Sequence, residues 1–482
     1  MSREKNFFRS SILLAIIFTI GLISCEKKDV IDDSTDVKLS FSMDTVMFDT
    51  VFSTLGSVTR DFRIYNNNDR PIEISSISLA RGAQSQFRIN VDGVSGTDFS
   101  EIKIYPNDSL YVFVRVTIDP TEENLPFVCQ DSIIFETNTN IQDVDLVAWG
   151  QNANFYHNVL LRGNHTWTAD KPHVVYGYVI VDDTLNSSLT IEPGAQIYMH
   201  QDAIIAVDSS ACLKMNGSYE NPITVQGDRL ESWYDDIPGQ WGMIWLASGS
   251  VENEINYAII RNGTVGVRVD TLGASNEATL KINNSIIDNM QGYGIFGQGS
   301  KIVARNSVFS NCGTHAVILS IGGDYDFRHC TIGNYWNQSA RESSSLVLNN
   351  FYIYNNDTIA RDLEHAYFGN CIIYGNADEE LTLSKTVQSD FNYFFENCIV
   401  KSSKHFNGNA FDNCFNKDPF FVDPLNYDYR IDTILSPAVD AGSIDIINNT
   451  TDFNLSVDYD NNSRVSDEAP DLGAYEFIPK EE

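Results

Sequence analysis

Basic residues are scarce in this 482-residue chain: 32 Lys and Arg stand against 65 Asp and Glu, a formal net charge of −33. A field of that sign repels phosphate backbones and anionic headgroups, so nucleic acid is excluded as a partner, and a polyanion would need a local basic patch or bound cations. The N-terminal apolar run, residues 12–23, counts 12 residues, short of the ~20 needed to cross a bilayer. A disulfide framework is missing too. Apart from Cys25 there are seven cysteines, at 129, 212, 312, 330, 371, 398 and 414, an odd number scattered through apolar segments, which reads as small buried hydrophobes. Core is plentiful: 43% apolar residues with 12% aromatics describe a globular chain long enough for two or three domains.

Arg3, Lys5 and Arg9 precede the apolar run, and Ser24-Cys25 follows it, the layout of a secretory signal over residues 1–24. The tetrapeptide Leu22-Ile23-Ser24-Cys25 resembles the lipobox of bacterial lipoproteins. That resemblance implies lipidation of Cys25 and a membrane anchor without a spanning segment. Loss of Arg3, Lys5, Arg9 and Glu4, net +2, leaves the mature chain near −35. Residues 25–36 form an acidic tether similar to the signals that send some lipoproteins to the outer face of the outer membrane, so the expected location is there, facing the exterior.

Residues 37–152 carry short period-two segments, among them Phe62-Arg-Ile-Tyr-Asn66, Ile72-Glu-Ile74, Leu110-Tyr-Val-Phe113 and Ser132-Ile-Ile-Phe135, separated by Asn/Asp/Pro turns. About eight strands in ~115 residues predict an antiparallel sandwich. The segment resembles the immunoglobulin-like modules of exported bacterial proteins, without the Cys-Trp-Cys core of antibody domains. A spacer role is expected.

From residue 279 to 400 one pattern returns: Asn284-Ser-Ile-Ile, Asn306-Ser-Val-Phe, His329-Cys-Thr-Ile, Asn350-Phe-Tyr-Ile, Asn370-Cys-Ile-Ile and Asn397-Cys-Ile-Val, at spacings of 22, 23, 21, 20 and 27. A period in the low twenties with an apolar strand in each copy predicts a solenoid of parallel strands, since no turn can bury its own apolar face. Upstream, Leu189-Thr-Ile-Glu-Pro-Gly-Ala195, Pro222-Ile-Thr-Val225, Gly239-Gln-Trp-Gly242 and Ile255–Gly263 resemble the opening coils of right-handed parallel β-helix proteins. Ser436-Pro-Ala-Val-Asp-Ala-Gly442, Asp458–Arg464 and Pro470-Asp-Leu-Gly-Ala-Tyr-Glu476 resemble their C-terminal signature. The chain is thus similar to exported lipoproteins of the β-helix repeat family. The implied fold is all-β: an immunoglobulin-like sandwich, a β-helix of about ten coils over 153–420, and a cap over 421–482 closing the open end.

Stacking the copies as rows puts Ile282, Ala304, Phe327, Leu348, Phe368 and Phe395 in one inward column and Leu280, Ile302, Tyr325, Leu346, Ala366 and Tyr393 in another. Between them, facing out, Lys301 falls beside Asp324, Val303 beside Asp326, and Arg305 beside Arg328. Asp324 and Asp326 share one strand face with ~6.5–7 Å between α-carbons. Lys301, Arg305, Asp324, Asp326, Arg328 and the neighbouring His329 are the catalytic candidates if the chain is an enzyme; otherwise adjacent coils simply pair opposite charges. The Asn column, Asn284, Asn306, Asn350, Asn370 and Asn397, is expected at left-handed corners with an axial ladder of side-chain amides. Ser285, Ser307, Cys330, Phe351, Cys371 and Cys398 form the next column, its cysteines read as a buried thiol stack. Trp233 and Tyr234 are candidates for stacking on sugar rings, while Trp245, in an apolar strand, reads as core. Asp458, Asp460 and Asn462, with Asp471, offer oxygens for a structural calcium, yet Ser463 and Ala469 occupy the places where an EF-hand requires Gly and Glu; the other reading is a polar turn. No cofactor is required. Asp-Ser/Thr-apolar triplets, such as Asp183-Thr-Leu and Asp357-Thr-Ile, resemble O-glycosylation sites of some exported bacterial proteins.

The expected function is binding of an extracellular polysaccharide or glycoconjugate through the β-helix face without turnover. The alternatives are a polysaccharide lyase or glycoside hydrolase, and a structural surface protein. Sequence leaves enzyme status undecided, because β-helices host all of these.

Overall fold

The computed structural model describes residues 30–53, 56–119, 127–271, 277–403, 409–466 and 468–479. The expected signal, Cys25 and the tether up to residue 29 lie outside that set. The described chain is all-β and divides at Gln151 into two compact units.

The first unit is an immunoglobulin-like sandwich. One sheet orders Ser40–Phe41, Arg60–Asn66, Asp108–Val116, Phe87–Val91 and Val94–Gly96; the other orders Thr45–Phe52, Asn140–Gln151, Phe127–Thr137, Ile72–Leu79 and Asp98–Ile104. Thr45–Phe52 runs parallel to Asn140–Gln151, whereas the neighbouring pairs are antiparallel. Alternation sends Phe62, Ile64, Ile133 and Phe135 inward, with the rings of Phe62 and Phe135 edge-on at 6.3 Å. Buried Asn66 fixes one turn by donating from Nδ2 to the carbonyls of Arg70 and Ile104, 2.8 and 3.0 Å.

The second unit is the parallel β-helix. Each coil supplies three strands: Leu280–Asn283, Ile286–Asp288 and Tyr293–Gln298 make one coil, and Lys301–Arg305, Val308–Ser310 and His315–Ser320 the next. The first strands stack into a ten-stranded first face, from Asn164–Trp167 to Phe411–Asp412; the second and third strands form two further faces within one 17-stranded sheet. Burying one Leu or Ile side chain is worth about 2 kcal/mol. A coil of about twenty residues spends more than 1 kcal/mol per residue on backbone ordering, so each coil depends on its neighbours.

The inward columns are as expected through Tyr325 and Phe327, and then the register differs. Tyr325 pairs with Ala366 and Phe327 with Phe368, while Leu346 and Leu348 lie on the third face opposite Val317 and Leu319. The corner copy after His329 is therefore Asn370, 41 residues on, and Asn350 is not a repeat corner. The extra length goes into residues 335–345 and an antiparallel hairpin, Phe351–Tyr354 with Asp357–Ala360. Backbone angles agree: Asn284, Asn306, His329, Asn370 and Asn397 have φ from 45° to 53°, and Asn350 is not among the positive-φ residues.

The expected amide ladder is also corrected. Asn306, Asn370 and Asn397 donate to the carbonyls of Val457, Ser443 and Ala441, at 2.7, 3.0 and 3.2 Å. Those acceptors belong to the C-terminal segment expected as an end cap. Its described part instead runs as a strap along the side of the helix, with Tyr459 against Tyr257 at 6.2 Å and Tyr429 donating to Asn311 and Gly333. Asn370 also meets His329 on the preceding rung at 2.9 Å; the other acceptors of these corner amides come from the strap.

The adjoining column is regular without Phe351, which lies in the hairpin instead of the stack. Ser285 and Ser307 hydroxyls donate to the carbonyl two residues earlier at 2.7 and 2.8 Å, and the thiols of Cys330, Cys371, Cys398 and Cys414 do the same at 3.3–3.4 Å. Ser285 N–H donates to Ser307 Oγ, and Cys371 N–H to Cys398 Sγ. Sulfur repeats the role of oxygen at its longer bond length, and all these cysteines are free thiols.

Candidate functional site

On the first face, strands alternate in and out. Lys301, Val303 and Arg305 stand beside Asp324, Asp326 and Arg328 on Gly323–Arg328. Because the next strand is Leu363–Gly369, His365 follows beside Asp324 and Tyr367 beside Asp326. Lys301 Nζ lies 3.1 Å from Asp324 Oδ2, and His365 Nδ1 lies 3.4 Å from Asp324 Oδ1. Arg328 grips Asp326 with two bonds of 2.9 Å, and Arg305 Nη1 donates to Asp326 Oδ1 at 3.0 Å. The Arg328 guanidinium also lies 5.1 Å over the ring of Tyr367, whose hydroxyl donates to Glu396 at 2.6 Å.

Two catalytic candidates do not stand on the open face. Arg305 points outward as expected but is only 2% exposed, because the strap covers it: Nη2 donates to Asp452 at 3.3 Å. His329 is fully buried at its corner, where Nε2 meets Asn370 Nδ2 at 2.9 Å. Burial, reinforced by Arg464, holds its pKa well below 6.5 and the ring neutral. His365, which the repeat alignment passed over, is half exposed.

The hydrogen bond from His365, with that of Lys301, holds the Asp324 carboxyl below its usual range. Asp324 in turn raises His365 above 6.5. Hydrolysis by a carboxyl pair needs one group kept protonated as donor and one ionised. Here Asp324 is held low by its bonds from His365 and Lys301, so it is not set up as the donor, and Asp326 accepts from Arg305 and Arg328.

The third face differs. Trp245 is not core: it faces outward beside Arg268, which lies beside Phe296 on the next coil. The Arg268 guanidinium lies 5.3 Å from the Trp245 ring and 5.8 Å from that of Phe296, and Trp245 Nε1 donates to Asp270 at 2.8 Å. Trp241, by contrast, is fully buried, donating to the Arg261 carbonyl.

Trp233 and Tyr234 lie in the 3-10 turn Ser232–Tyr234 between the second and third faces. Trp233 is 62% exposed, and its ring packs on Tyr234 at 3.9 Å. Arg229 caps Tyr234 at 4.2 Å while forked onto Glu231, 3.2 Å for each bond. The loop is tied down at four carbonyls: Gln240 donates to those of Tyr234 and Ile237, Asn262 to Asp235, and Asn289 to Asp236.

Asp458 accepts from Asn462 N–H and Nδ2 and from Glu476 N–H, Asp471 accepts from Asp440 and Phe477 N–H, and Asp460 pairs with Arg430 at 2.6 Å. These oxygens serve N–H donors in polar turns of the strap. Among the described residues, no group of three or more His, Cys, Asp and Glu side chains is arranged to hold a metal ion.

No family model matches the sequence, and no curated protein matches it. Among solved structures, the catalytic domain of a GH87 α-1,3-glucanase in complex with nigerose is similar at 11% identity and a TM-score of 0.17, over 70% of this chain and 81% of that one. The PapD-like domain 7 of human CEP192 aligns at 9% identity and TM-score 0.17, over 27% of this chain and 94% of its own. A family 123 glycoside hydrolase from Clostridium perfringens aligns at 10% identity and TM-score 0.19, over 27% of this chain. This chain spans 30% of that hydrolase's length. No residue role is transferred from them.

Proposed function

We propose that this chain is an outer-membrane lipoprotein, anchored through Cys25, whose β-helix binds extracellular polysaccharide or glycoconjugate through its lateral faces without turning it over. The observation that carries this reading is the internal pairing of the first-face charges: Asp326 is held by Arg305 and Arg328, and Asp324 by Lys301 and His365. A row of matched charges and aromatic rings offers hydrogen bonds and stacking along a chain of sugars, while lacking a proton donor and a base poised against each other. The test is incubation of the mature chain with a polysaccharide panel, following retention, new reducing ends and unsaturated products. Retention without product supports binding; cleavage lost in Asp324→Ala would replace it with catalysis.

One observation favours that second reading, a lyase or hydrolase. His365, half exposed on Asp324 and beside Tyr367, would be its base, and His365→Ala would then abolish product formation along with Asp324→Ala.

A further inference from the structure

A second hydrogen-bonded group stands far from the first-face charges in the fold, at the corner between the second and third faces. Val175, Met199 and Gly227 stack in register on successive coils, so the residues after them, Tyr176, His200 and Asp228, share one corner. Asp228 Oδ2 accepts from His200 Nδ1 at 2.7 Å and from the Tyr176 hydroxyl at 3.2 Å. The Tyr176 and His200 rings pack at 4.3 Å. Asp228 is 10% exposed at its side chain and His200 45%. A carboxylate held by a phenol can only accept, so it fixes the imidazole with its proton on Nδ1. Nε2 is then left at the open edge of a half-exposed ring, and among the described residues it has no hydrogen-bond partner.

This corner is continuous with the aromatic ledge. Asp228 precedes Arg229, whose guanidinium covers Tyr234, and Tyr234 backs Trp233. The ledge loop is held at four carbonyls, so an exposed indole is presented rigidly, which lowers the ordering cost of binding. Within the group Arg229 is forked onto Glu231, and Asp228 accepts from His200 and Tyr176. With a net charge of −33 around it, an anionic ligand is disfavoured. A rigid indole face and an oriented imidazole edge, both at the corner between the second and third faces, fit a ring with one apolar C–H face and hydroxyls at its rim.

We infer that Trp233 and His200 form a subsite for a neutral pyranose unit, its C–H face on the Trp233 indole and one hydroxyl hydrogen-bonded to His200 Nε2, with Asp228 and Tyr176 as positioning residues. The inference rests on the carbohydrate-binding reading above and places specific recognition at this corner instead of on the first face.

The test is affinity electrophoresis of the mature chain in detergent through gels containing neutral polysaccharides (glucan, mannan, xylan) or acidic ones (polygalacturonate, alginate). Trp233→Ala, His200→Gln and Asp324→Ala are compared with Lys103→Ala from the first unit as control. Thermal melts establish that each variant is folded, as expected for half-exposed positions. Retention by a neutral polysaccharide, weakened about tenfold or more by Trp233→Ala and by His200→Gln and unchanged by Lys103→Ala, supports the subsite. Oligosaccharide from the retained polymer should also quench tryptophan fluorescence in the wild type and not in Trp233→Ala. Retention that both corner variants preserve overturns the subsite while leaving the binding reading standing, as does retention confined to acidic polymers and lost in Asp324→Ala. Absence of retention on every polymer overturns both.

Discussion

The first and third faces of the β-helix share one ladder spacing and one in-out alternation, yet they use their outward positions in opposite ways. On the first face Lys301 pairs with Asp324 across adjacent coils and Arg328 with Asp326 along one strand, and the strap then buries Arg305 at the edge of the row. On the third face one cation, Arg268, is layered between Trp245 and Phe296 and tied to Asp270. Coil stacking at ~4.8 Å brings any two outward residues into range. What each contact is worth is decided by how far water is excluded from it.

The comparison breaks most sharply at Arg305. Removing its buried guanidinium by Arg305→Ala leaves Asp326 and Asp452 without their covered partner and is expected to cost about 3 kcal/mol, read by denaturant unfolding of the second unit; a loss no larger than that of Lys301→Ala would mean the strap gives no protection. Trp245→Ala, which removes the ring from under Arg268 and the bond to Asp270, is expected to cost about 1–2 kcal/mol. Lys301→Ala, four residues from Arg305 on the same strand but solvated, is expected to cost less than about 1 kcal/mol, and 1 M salt should erase most of that difference. The smallest effect is a titration. Asp324 raises the pKa of His365 above 6.5, so the pairing contributes fully below 6.5 and is lost as pH rises through the raised value. With the ring half exposed, that is a few tenths of a kcal/mol. An NMR titration should put the His365 midpoint above 6.5 and lower it in Asp324→Asn; a wild-type midpoint at or below 6.5 would remove the pair from the comparison.

Much of the register was readable in the sequence. The spacing of Asn284, Asn306 and His329 placed Lys301 beside Asp324 before any coordinates, since a left-handed corner restricts residue type and the pleat restricts direction. It failed at Asn350 because Leu346-Val-Leu348 followed by Asn350 imitates an inward pair and its corner. The segments Phe327-Arg-His-Cys330, Phe368-Gly-Asn-Cys371 and Phe395-Glu-Asn-Cys398 carried the true alignment, and with it His365. Two features had no local signal. The burial of Arg305 comes from Asp452, 147 residues away, and Trp245 faces out because its strand is Met243–Leu246, whose outward positions are filled by large apolar side chains.

The serine and cysteine column has a consequence for how this solenoid comes apart. Cys330, Cys371 and Cys398 are fully buried and Cys414, on the terminal coil, is partly exposed. Their sulfurs therefore mark successive rungs at known distances from one end. If coils peel away from that end one at a time, a thiol reagent added to the native protein will modify Cys414 first, then Cys398, Cys371 and Cys330. If they let go together, the three buried thiols will react at a single rate. The chain thus carries, in a column of thiols, its own recorder of whether a stack of coils opens like a zip or all at once.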